Sequence, residues 1–259
     1  MPNSTIKQTS ISMIIFLFFF QNIIAQNNLN FRQFINETGN FIKQPANWEA
    51  KDWGLLGLTA ASSLLIMQFE DHVRDEILIK RENYNSIPVE FGRIWGEPYN
   101  TALISGVNAL SGIANNNYLN KKVAFEIIQS ALYTGLVTQF LKIAFGKSRP
   151  YTGEGSSNFS PINFSGDDNW SFISGHTSLG FSLSTVLSEN SKNEFMKFLY
   201  YVPAILTAYS RVYQDKHWVS DVFLGALLGY AIGKWTVKIH DINEKQLLPN
   251  QQFSFVIPF

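Results

Sequence analysis

The chain contains no cysteine among its 259 residues, which excludes disulfide bonds, thiolate catalysis and cysteine-ligated metal sites. Charge is scarce and balanced: 15% of the residues are charged and the formal net charge is zero. There is therefore no basic field of the kind that binds nucleic acid, and we expect no nucleic-acid partner. The sequence also lacks a Walker or Rossmann glycine-rich loop, an HExxH zinc helix and a serine nucleophile elbow.

The first 25 residues are typical of a secretory signal. Lys7 supplies a positive charge, Ile11–Phe20 is an apolar run, and Ala25 is a small residue before a cleavage point at Gln26. The alternative is an uncleaved anchor, but the apolar run is short of the about 20 residues that a membrane span needs. We therefore expect an exported chain, and we exclude residues 1–25 from the fold.

Apolar segments of helical length dominate the rest of the chain, while alternating strand patterns are scarce. The sequence predicts an all-α protein with a six-helix core bundle and an N-terminal arm. The predicted helices are Asp52–Phe69, Tyr99–Ile113, Lys121–Phe145, His176–Ser188, Glu194–Tyr213 and Trp218–Ile239. Two weaker predictions are a short amphipathic helix within Asn27–Trp48 and an exposed, solvated helix over Glu70–Glu82.

The predicted organisation has four parts: a signal (1–25), an N-terminal arm with the first helices (26–98), a core (99–240) and a tail (241–259). Residues 52–240 are expected to form one compact domain. Gly146 and Pro150 end the third core helix, because proline cannot continue a helix. The segment Tyr151–Asn169 is rich in Gly, Ser, Asn and Asp and is predicted to be a loop.

Three short clusters in the second half carry the chemistry. They are Lys142-x6-Arg149-Pro150, Ser174-Gly175-His176 and Ser210-Arg211-x5-His217-x3-Asp221. Each cluster falls at the end of an odd core helix or at the start of an even one. In an up-and-down bundle these ends share one pole, so the sequence predicts that the three clusters meet there.

Together the clusters have the groups needed to hold a tetrahedral oxyanion and to attack it. Three basic side chains (Lys142, Arg149 and Arg211) can surround phosphoryl oxygens, arginine with forked hydrogen bonds. Ser174 adds a hydroxyl, and Gly175 exposes a backbone N–H at a helix N-terminus, where partial positive charge favours anions.

The two histidines of the clusters divide the remaining roles. His217 and Asp221 are four residues apart on one helix face, so the carboxylate can orient the imidazole, whose other nitrogen is free to attack phosphorus. His176 is the candidate general acid. The competing interpretation, two structural histidines, is weaker because two of only four histidines in the chain fall inside the clusters.

These residues resemble the type 2 phosphatidic acid phosphatase family, in the superfamily that includes vanadium-dependent haloperoxidases and bacterial acid phosphatases. The family pattern K-x6-RP, PSGH, SR-x5-H-x3-D reads here KIAFGKSRP, ISGH and SRVYQDKHWVSD, over roughly residues 99–239.

The resemblance implies a helical phosphatase that needs no metal or other cofactor. It implies that His217 is the nucleophile that forms a phosphohistidine, Asp221 its orienting partner and His176 the acid. The phosphate-binding residues would be Lys142, Arg149, Ser174, Gly175 and Arg211. Ile173 departs from the pattern, which usually has proline there.

Many members of that family are integral membrane proteins with an extracytoplasmic site. Six spans after an exported N-terminus would place the end of the bundle that holds the three clusters in the cytoplasm. Glu126 and Lys234 also put charge midway along predicted helices, where a membrane span would not favour it. We therefore expect a non-spanning or partly embedded bundle with a periplasmic site and an apolar flank that touches the membrane surface.

The leading hypothesis is a phosphatase for phosphomonoesters or diphosphates, with lipid phosphates among the candidate substrates. A vanadate-dependent haloperoxidase and a non-catalytic binding module are the alternatives. The residues do not identify the substrate or the oligomeric state.

Overall fold

The structure is a computed structural model that describes residues 29–164 and 166–247. Within these residues the regular structure is α-helical, with short 3₁₀ turns and one isolated bridge between Lys147 and Phe159. The α-helices are α1 Phe31–Lys43, α2 Ala50–Met67, α3 Glu70–Lys80, α4 Ile87–Trp95, α5 Pro98–Ala114, α6 Tyr118–Phe145, α7 Gly175–Glu189, α8 Glu194–Leu199, α9 Tyr201–Tyr213 and α10 Val219–Leu247. The predicted all-α class is confirmed, whereas the six-helix core stays a prediction. The expected signal and the end of the expected tail, 248–259, lie outside the described residues.

The predicted helices are present, with two differences. The predicted helix Glu194–Tyr213 is divided at Tyr200 into α8 and α9. Pro203 explains the division, because its ring lacks an N–H and clashes with the carbonyl of Leu199 in a continuous helix. The second difference is α4, which the sequence did not predict.

The end of α6 turns sharply at Gly146. This residue has a left-handed backbone (φ 59°), and its N–H donates to the carbonyl of Lys142 at 2.9 Å. A Cβ atom here would lie 1.8 Å from the carbonyl oxygen of Ser160, so only glycine fits. The turn directs the following residues back across the end of the bundle, and Pro150 opens a 3₁₀ turn there.

Close packing of α7 against α10 positions the two histidines. A Cβ atom at Gly229 of α10 would lie 2.1 Å from the carbonyl oxygen of Ser178 of α7, so the two backbones approach as closely as glycine allows. At the start of the same helices, the N–H of Ser174 donates to the carbonyl of Asp221 at 3.0 Å. The ends of α6 and α9 and the starts of α7 and α10 therefore meet at one end of the bundle, which we call the active pole.

Much of the outer surface is apolar. Leu58 and Leu65 on α2, Leu103 on α5, and Leu136 and Phe140 on α6 are each more than 60% exposed. Within the described residues, one helical segment, Val219–Ile242, is long and apolar enough to cross a membrane. An apolar surface of this extent indicates contact with another apolar phase or partner.

Candidate active site

His217 lies between α9 and α10 and is almost completely buried. Its Nδ1 is 2.8 Å from the carbonyl oxygen of Ser171, and its Nε2 is 3.5 Å from Nη1 of Arg149. Because a carbonyl only accepts hydrogen bonds, Nδ1 carries the proton and Nε2 carries the lone pair. Burial, with the nearby cations, holds the pKa of His217 well below its usual range, so the ring is neutral at neutral pH. Nε2 is therefore available as a nucleophile facing a guanidinium.

Asp221 acts on this ring through an intermediate residue. Its Oδ2 accepts hydrogen bonds from the Ser171 hydroxyl and, at 2.9 Å, from the N–H of Trp218. The distance from Oδ2 to Nδ1 of His217 is 3.8 Å, too long for the direct hydrogen bond expected from the spacing of the two residues. Ser171 thus contacts both groups, the carboxylate with its hydroxyl and the imidazole with its carbonyl.

Two basic residues of the first cluster lie beside the ring. Nζ of Lys142 donates to the carbonyl of Trp170 at 2.5 Å, and burial, aided by the charge of Arg149, lowers the pKa of Lys142 to about 8. Arg149 donates from Nε to the carbonyl of Asp167 (2.7 Å) and from Nη1 to the carbonyl of Lys216 (3.1 Å). Its Nη2 is 2.5 Å from the Asp167 carboxylate, which is itself largely exposed. Asp167 therefore contacts Arg149 along its Nε–Nη2 edge, while Nη1 faces the His217 ring.

Arg211, at the end of α9, is buried but incompletely paired. Within the described part of the chain, its Nε and Nη1 have no hydrogen-bond partner. Burial lowers the pKa of Arg211 to about 10, and the charge of Arg149 acts in the same direction. A buried donor without an acceptor is costly, and a buried charge without a counter-charge more so. An anion bound between the two guanidinium groups would remove both costs.

His176, in the first turn of α7, is the more accessible of the two site histidines. Its Nε2 is 3.2 Å from Oε1 of Glu97, and the same carboxylate oxygen accepts a 2.8 Å hydrogen bond from Arg93. Burial lowers the pKa of His176, and the Glu97 carboxylate partly opposes this effect. The chain thus supplies an orienting carboxylate to His176, from the residue before α5.

Ser174 and Gly175 form the start of α7. The Ser174 hydroxyl caps the helix, accepting from the N–H of Thr177 at 3.4 Å and lying 3.0 Å from the Thr177 hydroxyl. A Cβ atom at Gly175 would lie 3.7 Å from Thr138 and 3.8 Å from Lys142, which are ordinary contact distances. The protein alone therefore does not require glycine here. The absent side chain leaves the helix N-terminus open to a ligand. Just before Ser174, the peptide bond between Phe172 and Ile173 is cis.

Comparisons with known proteins match the part of the chain that contains this site. Residues 124–245 match the family model of the PAP2 superfamily. This region, just under half of the chain, is therefore similar to the PAP2 superfamily. All eight predicted site residues lie inside it, as do Ser171 and Lys147.

Two curated relatives are from Porphyromonas gingivalis. A lipid A 1-phosphatase is 29% identical over 124 residues, which are 47% of this chain and 24% of that protein. A lipid A 4'-phosphatase is 31% identical over 71 residues, 27% of this chain and 30% of that protein. The chain thus spans less than a third of the length of each. Among solved structures, the crystal structure of Aquifex aeolicus LpxE is similar, with a TM-score of 0.49 and 24% identity over 66% of this chain and 95% of that one.

Several residues that contact the candidate site were not predicted. They are Glu70, Glu97, Lys147, Asp167 and Ser171. The prediction of a solvated α3 is wrong for Glu70, which is 1% exposed because the first turn of α3 packs against the start of α10. Lys147 directly follows the glycine that ends α6, but nothing in the sequence indicates which residues it contacts.

Proposed function

We propose that this protein is a phosphatase that needs no metal and removes a phosphate group from a lipid. The observation that carries the proposal is the buried, incompletely paired guanidinium of Arg211 at the pole where Nε2 of His217 holds a lone pair. Such a site can bind an anion through the guanidinium and can attack the central atom of that anion through the imidazole nitrogen. Phosphate esters hydrolyse very slowly without catalysis, so strong stabilisation of charge is the main requirement of such a site.

The proposed reaction has two steps. Nε2 of His217 forms a bond to phosphorus while the bond from phosphorus to the leaving oxygen breaks, and the leaving oxygen takes a proton from His176. Water then attacks the phosphohistidine and gives a proton to His176, and the P–N bond breaks to release inorganic phosphate. Lys142, Arg149 and Arg211, with the hydroxyl of Ser174 and the N–H of Gly175, would stabilise the phosphoryl oxygens in both steps.

The titration of the two histidines gives the proposed activity a bell-shaped pH profile. His217 must be neutral to attack, and its lowered pKa sets the acidic limb. His176 must be protonated to donate, and its lowered pKa sets the basic limb of kcat/KM. The free enzyme is therefore expected to work best on the acidic side of neutrality.

A lipid is the favoured substrate class for two reasons. The two curated relatives carry names of lipid A phosphatases. Exposed apolar side chains also lie at this end of the bundle: Phe140 is in the last two turns of α6, and Ile162 and Phe164 are in the loop whose backbone hydrogen-bonds to the end of that helix. A membrane surface that receives these side chains would present a phosphorylated headgroup to the cations. Because we expect the chain to be exported, we propose that the site lies in the periplasm. Intact cells with a permeable outer membrane test this location: an impermeant reagent should label the active pole.

The direct test is phosphate release by the purified full-length chain in the presence of EDTA, with lipid A, phosphatidic acid and a soluble aryl phosphate as substrates. We expect release from at least one lipid, inhibition by orthovanadate, and loss of activity in His217→Ala. The matched control is His72→Ala, which removes an exposed histidine of α3 and leaves activity unchanged.

Two results would contradict the proposal. One is the absence of phosphate release from every substrate by a folded wild-type protein. The other is activity that survives in His217→Ala. Halide oxidation that depends on vanadate and peroxide, without phosphate release, would instead support the haloperoxidase alternative.

A further inference from the structure

Lys147 is a buried cation whose three hydrogen bonds are all internal. The residue is 0% exposed, and its Nζ lies 2.9 Å from Oε2 of Glu70, 3.1 Å from Oγ of Ser220 and 3.2 Å from Oδ1 of Asp221. An ammonium group has three protons, so these partners satisfy it completely. Lys147 therefore has no free hydrogen for a substrate, unlike Arg211.

Glu70 joins α3, which precedes the region matched by the family model, to the start of α10. One of its carboxylate oxygens binds Lys147, and the other accepts the N–H of Ser220 at 2.7 Å. The first N–H groups of a helix lack partners within the helix, so a carboxylate there satisfies a donor and interacts favourably with the helix dipole. Glu70 thus caps α10, the helix that carries Asp221, from a different helix.

The contacts continue from this ion pair to the nucleophile. Lys147 holds Oδ1 of Asp221, which leaves Oδ2 to accept from the Ser171 hydroxyl, and the Ser171 carbonyl accepts from Nδ1 of His217. Every link is a hydrogen bond between buried groups. A change in the position or charge of Lys147 therefore reaches the His217 ring through Asp221 and Ser171.

We propose that Lys147 and Glu70 are positioning residues of the active site, an ion pair that fixes Asp221 and the start of α10 so that Nε2 of His217 points at phosphorus. The proposal rests on the proposed function. Neither residue touches the substrate. They keep Asp221 in place, and Asp221 positions the nucleophile His217 through Ser171.

Charge as well as position is part of this role. Burial would raise the pKa of Asp221, but the charge of Lys147, together with the contacts from His217 and Ser171, lowers that pKa to about 2. The other charged groups near Asp221 are Glu70 from α3 and Lys142 from α6. An ionised Asp221 is needed to accept the Ser171 hydrogen bond and to stabilise the positive charge that His217 gains during attack.

The experiment compares Lys147→Met and Glu70→Gln with Lys80→Met, a control that removes an exposed lysine. For each variant, kcat, KM, the pH profile and the melting temperature are measured with the substrate on which the wild type is most active. We expect kcat for Lys147→Met to fall about 10- to 100-fold, as for other residues that orient a catalytic group. KM should change little, because the phosphate-binding cations remain. The acidic limb should move to higher pH, because without the lysine the pKa values of Asp221 and His217 both rise.

Lys147→Arg keeps the charge and is expected to recover part of kcat and to return the acidic limb towards its wild-type position. Where Lys147→Met does not fold, Glu70→Gln decides the question by the same shift in kcat. Variants that are destabilised but have wild-type kcat and a wild-type pH profile per folded molecule would overturn the inference. Failure of the proposed function gives a different result, an inactive wild type.

Discussion

Two buried polar clusters lie at opposite ends of α6, and they differ in how their charges are balanced. At the active pole, Lys142 and Arg211 are buried cations, and two nitrogens of Arg211 have no hydrogen-bond partner among the described residues. The second cluster, which we call the distal cluster, consists of Glu37, Glu126 and His240. By helix rise, Glu126 and Lys142 are about 24 Å apart along α6.

The distal cluster brings two carboxylates together with a histidine. Nε2 of His240 lies 3.1 Å from Glu37 and 2.7 Å from the side-chain oxygen of Gln129. Its Nδ1 is 3.4 Å from Oε1 of Glu126, and neither of these two atoms makes a hydrogen bond within the described residues. Asn190 donates to the other oxygen of Glu126 at 2.6 Å. Buried charge is therefore not by itself the mark of a functional site in this protein. The concentration of buried cations, Lys142, Arg149 and Arg211, distinguishes the active pole from the distal cluster.

The largest expected effect concerns stability, in the distal cluster. His240→Ala leaves the carboxylates of Glu37 and Glu126 facing each other, and removal of one member of a buried ionic group typically costs about 3–5 kcal/mol. The free energy of unfolding should fall by this order, while kcat per folded molecule should stay at the wild-type value. Denaturant titration and active-site titration check the two parts, and a large loss of kcat in folded protein would contradict the comparison.

The cost of His240→Ala should also depend on pH. Burial raises the pKa of Glu126 from its usual 4.5 to about 7, so between these values the folded state holds more protons than the unfolded state and stability falls as the pH rises. Without His240 the ionised form of Glu126 is still less favourable. The loss of stability should therefore be greater at pH 8 than at pH 5.

The next largest effect is on activity, at the active pole. Arg211→Ala removes the incompletely paired guanidinium, and loss of one donor to a developing oxyanion typically lowers the rate about 10²- to 10³-fold. We expect kcat/KM to fall by this order with little loss of stability, because a buried charge without a partner is removed. Arg32→Ala, at an exposed position of α1, is the matched control. A folded Arg211→Ala variant with wild-type kcat/KM would show that the surplus charge does not serve catalysis.

A smaller effect is expected from the carboxylate that holds His176. The Glu97 carboxylate raises the pKa of His176 against the effect of burial, so Glu97→Gln lowers that pKa further. His176 must be protonated to act as an acid, and the basic limb of the kcat/KM profile should therefore move to lower pH. A basic limb that moves to higher pH, or does not move, would contradict the assignment of His176 as the acid.

The smallest effect is expected at the edge of the site. The Asp167 carboxylate is largely exposed and pairs with Arg149 where an oxyanion is proposed to bind. An exposed ion pair is worth at most about 1 kcal/mol, so Asp167→Asn should lower KM up to about fivefold as this competition is removed. Inhibition constants for inorganic phosphate measure the same change. Weaker phosphate binding in the variant would show that Asp167 assists binding.

The sequence predicted most of the helices, though not α4, and the convergence of the three clusters, because both depend on local patterns. Helical periodicity and the breakers Gly146 and Pro150 fixed the helix ends, and an up-and-down order brings alternate ends together. The roles of the individual site residues stay predictions until variants are measured.

Contacts between distant segments were not predictable in this way. Glu70 and Lys147 are 77 positions apart, and no periodicity links them. The i, i+4 spacing of His217 and Asp221 placed the two on one side of a turn, but it did not show that the Ser171 carbonyl would lie closer to the ring than the carboxylate does.

A crystal structure of the purified protein with orthovanadate tests the central claim most directly, because vanadate takes the geometry of the phosphoryl group during transfer. We predict a vanadium atom bonded to Nε2 of His217, with its oxygens on Arg149 and Arg211 and with His176 on the opposite side. Vanadate bound elsewhere on the protein, or a site that stays empty at saturating vanadate, would contradict the account.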